Sequence, residues 1–298
     1  MAGVAVRRWT EAGELIAHVM PFLLLHEDEN CVTVGRFNTL ALTGNPLPES
    51  QLNVSAERDG ETVAFMSVTP GYGALLNVTD DGEAVQTLAD FVREHVDRLP
   101  AFMGQPGIAM PFLERWKAHT GQHWRPAYRE LLYRIEAIHD HSLDVPGQMI
   151  MADESHLPML REWHFDFEVE ALSKLPPPDR AQYDALKIPD DSRIAGIRLW
   201  QGPHGEIVSM AAFKGPTTHG MRIGPVYTPP AQRGHGYGRA LTAAVVRELF
   251  EVGRRYVLLF ADADYAPSNH VYQRIGFRVI GETAQYVLET VPREVQGT

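Results

Sequence analysis

The 298-residue chain is short of cysteine, of lysine and of long apolar runs. Cys31 stands alone, so no disulfide can close within the chain and no cysteine-based metal site can be assembled. That usage fits a reducing, cytoplasmic setting. No partner motif surrounds Cys31, which reads as a small core residue and not as a nucleophile. Nowhere do roughly 18 apolar residues run together, so neither a membrane span nor a membrane partner is expected. Arg7 and Arg8 are not followed directly by an apolar stretch, and His18 and Pro21 interrupt the one over 15–25, so no signal peptide is expected. Positive charge is the scarcer sign, with 27 basic against 38 acidic residues and a net charge of −11. That balance argues against a nucleic-acid partner, which calls for a basic face. It leaves room for a local basic patch, because net charge says nothing about one cleft. Only four of the basic residues are lysine, which we read as genome composition and not as function.

What is present is a core. Hydrophobic residues make up 44% and charged residues 22%, which suits a folded chain of about two domains. One order of elements occurs twice. In the first half, strands are expected over 4–9, 52–58, 62–69, 73–78, 101–104 and 128–138. Helices are expected over 11–25, 34–42, 83–96 and 111–120. Asp59-Gly60 between two alternating runs is a hairpin signal. In the second half, strands are expected over 148–152, 194–200, 207–213, 221–228, 256–262 and 277–290. Helices are expected over 157–171, 178–186, 238–253 and 268–275. The polar stretch 140–147, with Pro146 and Gly147, marks the boundary, giving domains 1–140 and 146–298. Pro176-Pro177-Pro178 reads as a stiff loop.

The chemistry concentrates in 222–277. Val226-Tyr227-Thr228-Pro229-Pro230 leads into Arg233-Gly234-His235-Gly236-Tyr237-Gly238 and then a helix. A strand, a glycine-punctuated turn and a helix N-terminus together cradle an anion: glycine lets a phosphate approach the backbone, and first-turn N–H groups have no partner inside the helix. The spacing is neither a P-loop nor a dinucleotide fingerprint. Further on lies Asn269-His270-Val271-Tyr272-Gln273-Arg274-Ile275-Gly276-Phe277, where Asn269, Tyr272 and Gln273 share a helical face. Together the two segments resemble the GNAT N-acetyltransferases. That family's cofactor signature, Arg/Gln-x-x-Gly-x-Gly/Ala, is met by Arg233, Gly236 and Gly238. Its later motif is met by Asn269, Tyr272, Gly276 and Phe277.

The resemblance covers about 148–290. It implies an α/β (α+β) fold of two tandem GNAT-like units, each a mixed, mostly antiparallel sheet flanked by helices, and acetyl-CoA as donor. Gly234, His235, Gly236, Tyr237, Gly238 and Arg239 would hold the pyrophosphate. Val226, Tyr227 and Thr228 would border the pantetheine, Asn269 would contact it, and Tyr272 would protonate the departing thiolate. The strand ahead of the cradle carries no acid, which puts the base in doubt. Glu168 is the choice here, with Glu170, His164, His219, Asp262 or a water relay as alternatives.

The implied activity is direct acetyl transfer to a small-molecule or peptide amine. A non-catalytic acyl-CoA-binding regulator is the rival reading, and a mycothiol-synthase-like acetyltransferase is a narrower one. In the first half the corresponding turn, 78–83, offers Asp80, Asp81 and Glu83, which repel a phosphate but suit a helix cap. That half therefore reads as a degenerate unit. His119 with His123 and His139 with His141 lack the companions a metal needs, so no metal is expected. A homodimer is left open.

Overall fold

A computed structural model of the chain describes residues 3–139, 144–171 and 178–290. In chain order it begins with β1 (Ala5–Trp9), α1 (Ala12–Leu23), α2 (Cys31–Thr43), β2 (Leu52–Arg58), β3 (Glu61–Thr69) and β4 (Gly73–Leu76). Then follow α3 (Gly82–His95), β5 (Ala101–Gly104), α4 (Pro106–Thr120), β6 (Gln122–Ile135), β7 (Gln148–Met151) and α5 (Leu157–Ala171). The described chain ends with β8 (Ala195–Gln201), β9 (Ile207–Lys214), β10 (Gly220–Tyr227), α6 (Tyr237–Glu251), β11 (Tyr256–Asp262), α7 (Ala266–Ile275) and β12 (Arg278–Thr290). The mixed, mostly antiparallel α/β architecture is the one expected.

Local chemistry explains most boundaries. Asp59 and Gly60 both take positive φ, as a tight two-residue hairpin demands, and join β2 to β3. The Asp81 side chain accepts from the Ala84 N–H and caps α3. Helix α4 starts earlier than expected, because Pro106 rather than Pro111 occupies its first turn, where a missing N–H costs nothing. The helix expected over 178–186 is a single 3-10 turn at Arg180–Tyr183, capped by Asp179. Pro176 and Pro177 lie outside the described residues, as do 140–143 of the expected boundary, His141 among them.

The chain forms two compact units: Met1–Thr33, Leu40–Arg129 and Glu282–Thr298 in one, Val34–Thr39 and Glu130–Gly281 in the other. The first unit's sheet runs β1-β2-β3-β4-β5-β12 and the second's β6-β11-β10-β9-β8-β7. A chain cut at 140–146 would not separate them. β12 pairs with β5, from Ala284↔Gly104 to Val287↔Ala101, and lends Ala284, Tyr286 and Leu288 to the core around Phe102, Phe112 and Trp116. β6 pairs with β11, from Glu130↔Asp262 to Ile135↔Val257, and lends Tyr133 and Ile135 to the core against Leu241, Val245 and Leu249 of α6. Sequence periodicity shows a strand but not its neighbour, so each of these two strands reads with the half of the chain that carries it.

Candidate active site

The second unit's sheet opens in its middle. β10 and β11 run parallel and pair at Gly220↔Tyr256, Met221↔Val257 and Arg222↔Leu258, and no further. On its other edge β10 remains bonded to β9, but the register shifts between Ile223 and Val226, across Gly224 and Pro225. Pro225 donates no N–H and Gly224 has a φ of 146°, so this pair suits a bulge that bends the strand away. The result is a gap bordered by Val226, Tyr227 and Thr228 on one side and by the end of β11 on the other.

The glycine turn and the start of α6 follow directly. Gly234 and Gly236 take φ of 84° and 82°, a region that side chains disfavour. Gly236 is the N-cap of α6 and has no side-chain cap, so the first-turn amides of Tyr237 and Gly238 are left for an incoming acceptor. A Cβ on Gly236 would lie 3.2 Å from Val145 Cγ2, and one on Gly238 would lie 3.0 Å from Thr228 Oγ1. Both positions are thus closed to larger residues by what already surrounds them. The Arg239 guanidinium reaches within 3.7 Å of that same Gly236 Cβ position, and the His235 ring stacks on Tyr237. A bare helix N-terminus beside the Arg239 guanidinium fits a polyphosphate.

Arg233 is held in place. Its Nη2 donates to Glu170 Oε2 at 2.6 Å and its Nε to the Thr228 carbonyl at 2.8 Å. Glu170 also accepts from the Tyr227 hydroxyl at 3.0 Å, and burial beside that carboxylate pushes the phenol up to about 12. The Tyr227 ring is therefore structural, and any role of this residue at the gap falls to its backbone. Glu170 is committed to Arg233 and Tyr227, which removes it from the candidate bases. His219 precedes β10, at the end where the strands are still paired, so it does not reach the opening.

At the far side of the gap, Asn269 fastens α7 to β11. Its Nδ2 donates to the carbonyls of Asp262 (2.9 Å) and Tyr265 (3.1 Å), and its Oδ1 accepts from the Tyr133 hydroxyl at 3.0 Å. The side chain is buried and internally satisfied, so it positions the turn. One turn along α7, Tyr272 packs beside Tyr133 and Phe277. Burial, and then the neighbouring Tyr133, push its hydroxyl up to about 12, so it holds its proton through neutral pH.

The sheet's two faces differ around the gap. Met221, Ile223, Val257, Leu259, Ala261, Tyr133 and Ile135 point into the apolar core under α6. Alternation puts Arg222, Asp262 and Glu130 on the opposite face, together with Lys214, which is paired with Arg222. Helix α5 covers that face: of His164 and Glu168, one turn apart, the first is acted on by Lys214 and the second acts on it. Glu168 acts on Lys214, which lies level with the last paired position of β10. Burial lowers the Lys214 ammonium, nearby Arg222 adds to this, and Glu168 opposes it. His164 is lowered to about 4 by burial and then by Lys214, and its buried Nε2 has no hydrogen-bond partner. Glu130 is not legible in the sequence: its strand reads with the other half, and an acid at one position of an alternating strand carries no signal of its neighbours.

Within the first unit, the turn ahead of α3 fills its own anion position. Asp81 caps the helix, and Arg58 bridges Asp81 (2.7 Å) and Glu83 (2.6 Å). Among the described residues, no group of three or more acidic, His or Cys side chains could hold a metal ion, and no helix is long and apolar enough to cross a membrane.

Residues 157–277 match the family described as "Acetyltransferase (GNAT) family". This segment is a GNAT acetyltransferase domain. The donor used by GNAT acetyltransferases is acetyl-CoA. Among curated proteins, the chain is 29% identical over 155 residues to the mycothiol acetyltransferase of Saccharomonospora viridis, covering 48% of this chain and 46% of that one. It is 40% identical over 89 residues to that of an Arthrobacter species, covering 28% and 27%. A longer match, 26% identical over 259 residues, is to that of Actinosynnema mirum and covers 80% and 79%. The chain thus spans less than half the length of the first two of these relatives. Among solved structures, a tandem GNAT protein from the clavulanic acid biosynthesis pathway superposes with a TM-score of 0.59 at 14% identity, covering 98% of this chain and all of that one. A GCN5-related N-acetyltransferase from Sphaerobacter thermophilus gives 0.59 at 17% identity, over 98% of each chain. The GNAT domain therefore sits in a chain with the tandem GNAT fold.

Proposed function

We propose that the protein is an acetyl-CoA-dependent N-acetyltransferase that moves the acetyl group directly to a primary amine, on a small molecule or a peptide. The observation that carries this is the opening between β10 and β11 beside an uncapped glycine N-terminus. The amides of Tyr237 and Gly238, with Gly234, Gly236 and Arg239 around them, would hold the pyrophosphate, while Val226 and Thr228 border the pantetheine arm. Bound there, the donor supplies an activated thioester. Arg233, anchored by Glu170 and the Thr228 carbonyl, fixes the approach to the cradle. Tyr272 keeps its proton at neutral pH and donates it to the leaving sulfur. Asn269 acts by positioning Tyr272 and the end of β11.

The matches to mycothiol acetyltransferases make the acceptor of those enzymes the first amine to test. The first unit, whose helix N-terminus is occupied by Asp81 and Arg58, takes no cofactor in this reading. The assay is thiol release from acetyl-CoA by the full chain with a panel of primary amines. Release with at least one amine is the expected result. Tight binding of acetyl-CoA with no release from any amine would favour a regulatory acyl-CoA binder instead.

A further inference from the structure

We propose that Glu130, directly across the β6–β11 ladder from Asp262, takes the proton from the attacking amine; this rests on the acetyltransferase reading above. An amine reaches the site mostly as ammonium and must lose a proton before it attacks. The strand ahead of the cradle offers no acid, and on the face that Glu130 shares it carries Arg222. Of the alternatives, Glu170 is tied to Arg233 and Tyr227, Glu168 acts on Lys214 at the paired part of β10 and not at the opening, and His219 stands at the wrong end of β10. His164, lowered to about 4, has too little proton affinity to draw on an ammonium.

Glu130 meets the requirements by position. Paired residues on antiparallel strands share a face, with Cβ atoms about 5 Å apart. The Glu130↔Asp262 pair lies at the end of β11 that borders the gap. Asp262 is fixed there: its Oδ1 accepts from the Asp264 N–H and its carbonyl accepts from Asn269. Around Glu130 stand Asp262 on β11, Arg222 on β10 and Arg134 farther along β6. Lys214 on β9 and Glu168 and His164 on α5 complete the charged face. Burial and then Asp262 raise the Glu130 carboxyl, and Arg222 partly opposes them. Tyr272 belongs to the other face, packed against the core under α6. Glu130 and Tyr272 therefore lie toward opposite faces of the sheet at the gap.

The step balances as follows. The ammonium gives one proton to the Glu130 carboxylate. The freed nitrogen bonds to the thioester carbonyl carbon, the C–S bond breaks, and sulfur takes the Tyr272 hydroxyl proton. The nitrogen's second proton returns through water to the Tyr272 phenolate, and Glu130 releases its proton to solvent. The products are an amide, a thiol and one proton.

The test uses the full chain, acetyl-CoA and the primary amine that gives the fastest thiol release. Glu130→Gln should leave coenzyme A affinity unchanged by calorimetry and lower kcat about 100-fold or more at neutral pH. Its rate should climb steadily with pH as free amine accumulates, where the wild type levels off. Asp262→Asn should move the acidic limb of the wild-type profile to lower pH, since it removes the charge that raises Glu130. Should Glu130→Gln fail to fold, Glu130→Asp keeps the carboxylate and should keep the shape of the profile at a reduced rate. Carboxyl carbon NMR of the wild type should show one glutamate titrating above the ordinary carboxylate range. Wild-type turnover and profile in Glu130→Gln, or no raised glutamate, would overturn the assignment and leave the acetyltransferase standing. No thiol release with any amine would overturn both.

Discussion

At the residue scale, the site depends on side chains that bind nothing but the protein. Asn269 is buried, and it ties the end of β11, the start of α7 and Tyr133 together through one amide group. Asn269→Ala would strand the Tyr133 hydroxyl and two carbonyls, and at about 1 kcal/mol per bond should cost about 2–3 kcal/mol in a denaturant titration. Activity should fall with it, because Tyr272 sits one turn away. Tyr272→Phe keeps the packing with Tyr133 and Phe277 and removes only the proton. It should lower kcat about 100-fold while the KM for acetyl-CoA stays put. Since the hydroxyl is held near 12, the wild-type rate should show no loss through ionisation of this phenol as pH rises through 10. A decline there traced to Tyr272 by its absence in Tyr272→Phe would contradict that. Asn269, Tyr272 and the glycines were legible because they recur at fixed spacing within one segment. Glu130 was not, because its meaning comes from Asp262, which lies on another strand far along the chain.

At the level of elements, the sequence announced nearly every strand and helix, since alternation and capping are local. What it withheld was pairing. The strand around 128–138 read as the end of one half, and only the ladder Glu130↔Asp262 to Ile135↔Val257 shows where it belongs. The β10 bulge was visible only as Gly224-Pro225, a pair with many uses. In the proposed function α6 carries the donor site at its N-terminus, so changes there should be severe and specific. Gly236→Glu places a side chain into a φ of 82°, 3.2 Å from Val145, and sets a negative charge against the phosphates. Calorimetry should detect no coenzyme A binding by that variant, while circular dichroism should report an intact fold. α6 also carries Glu248, whose carboxylate pairs with the buried Arg198 of β8. Removing one partner leaves a charge in the core, so Glu248→Ala should lower stability by about 3 kcal/mol. Melting within a degree of wild type would show the pair to be dispensable.

At the scale of the whole molecule, the two units are interleaved along the chain. β12, at the end of the described chain, completes the first sheet, and β6, from before the expected boundary, completes the second. A fragment of residues 146–298 would lack β6, and with it Tyr133, Ile135 and Glu130. It should therefore express as an aggregating or poorly cooperative chain, whereas residues 122–290 should recover a folded second sheet. A soluble, sharply melting 146–298 fragment with full coenzyme A affinity would contradict this account of the strand exchange. The central claim is that the amides opening α6, beside the parted strands, hold the donor's pyrophosphate. Titration of coenzyme A into the full chain by calorimetry tests it most directly. One saturable site per chain, lost in Gly236→Glu, is the predicted result. No heat at saturating concentration, or unchanged affinity in Gly236→Glu, would contradict it.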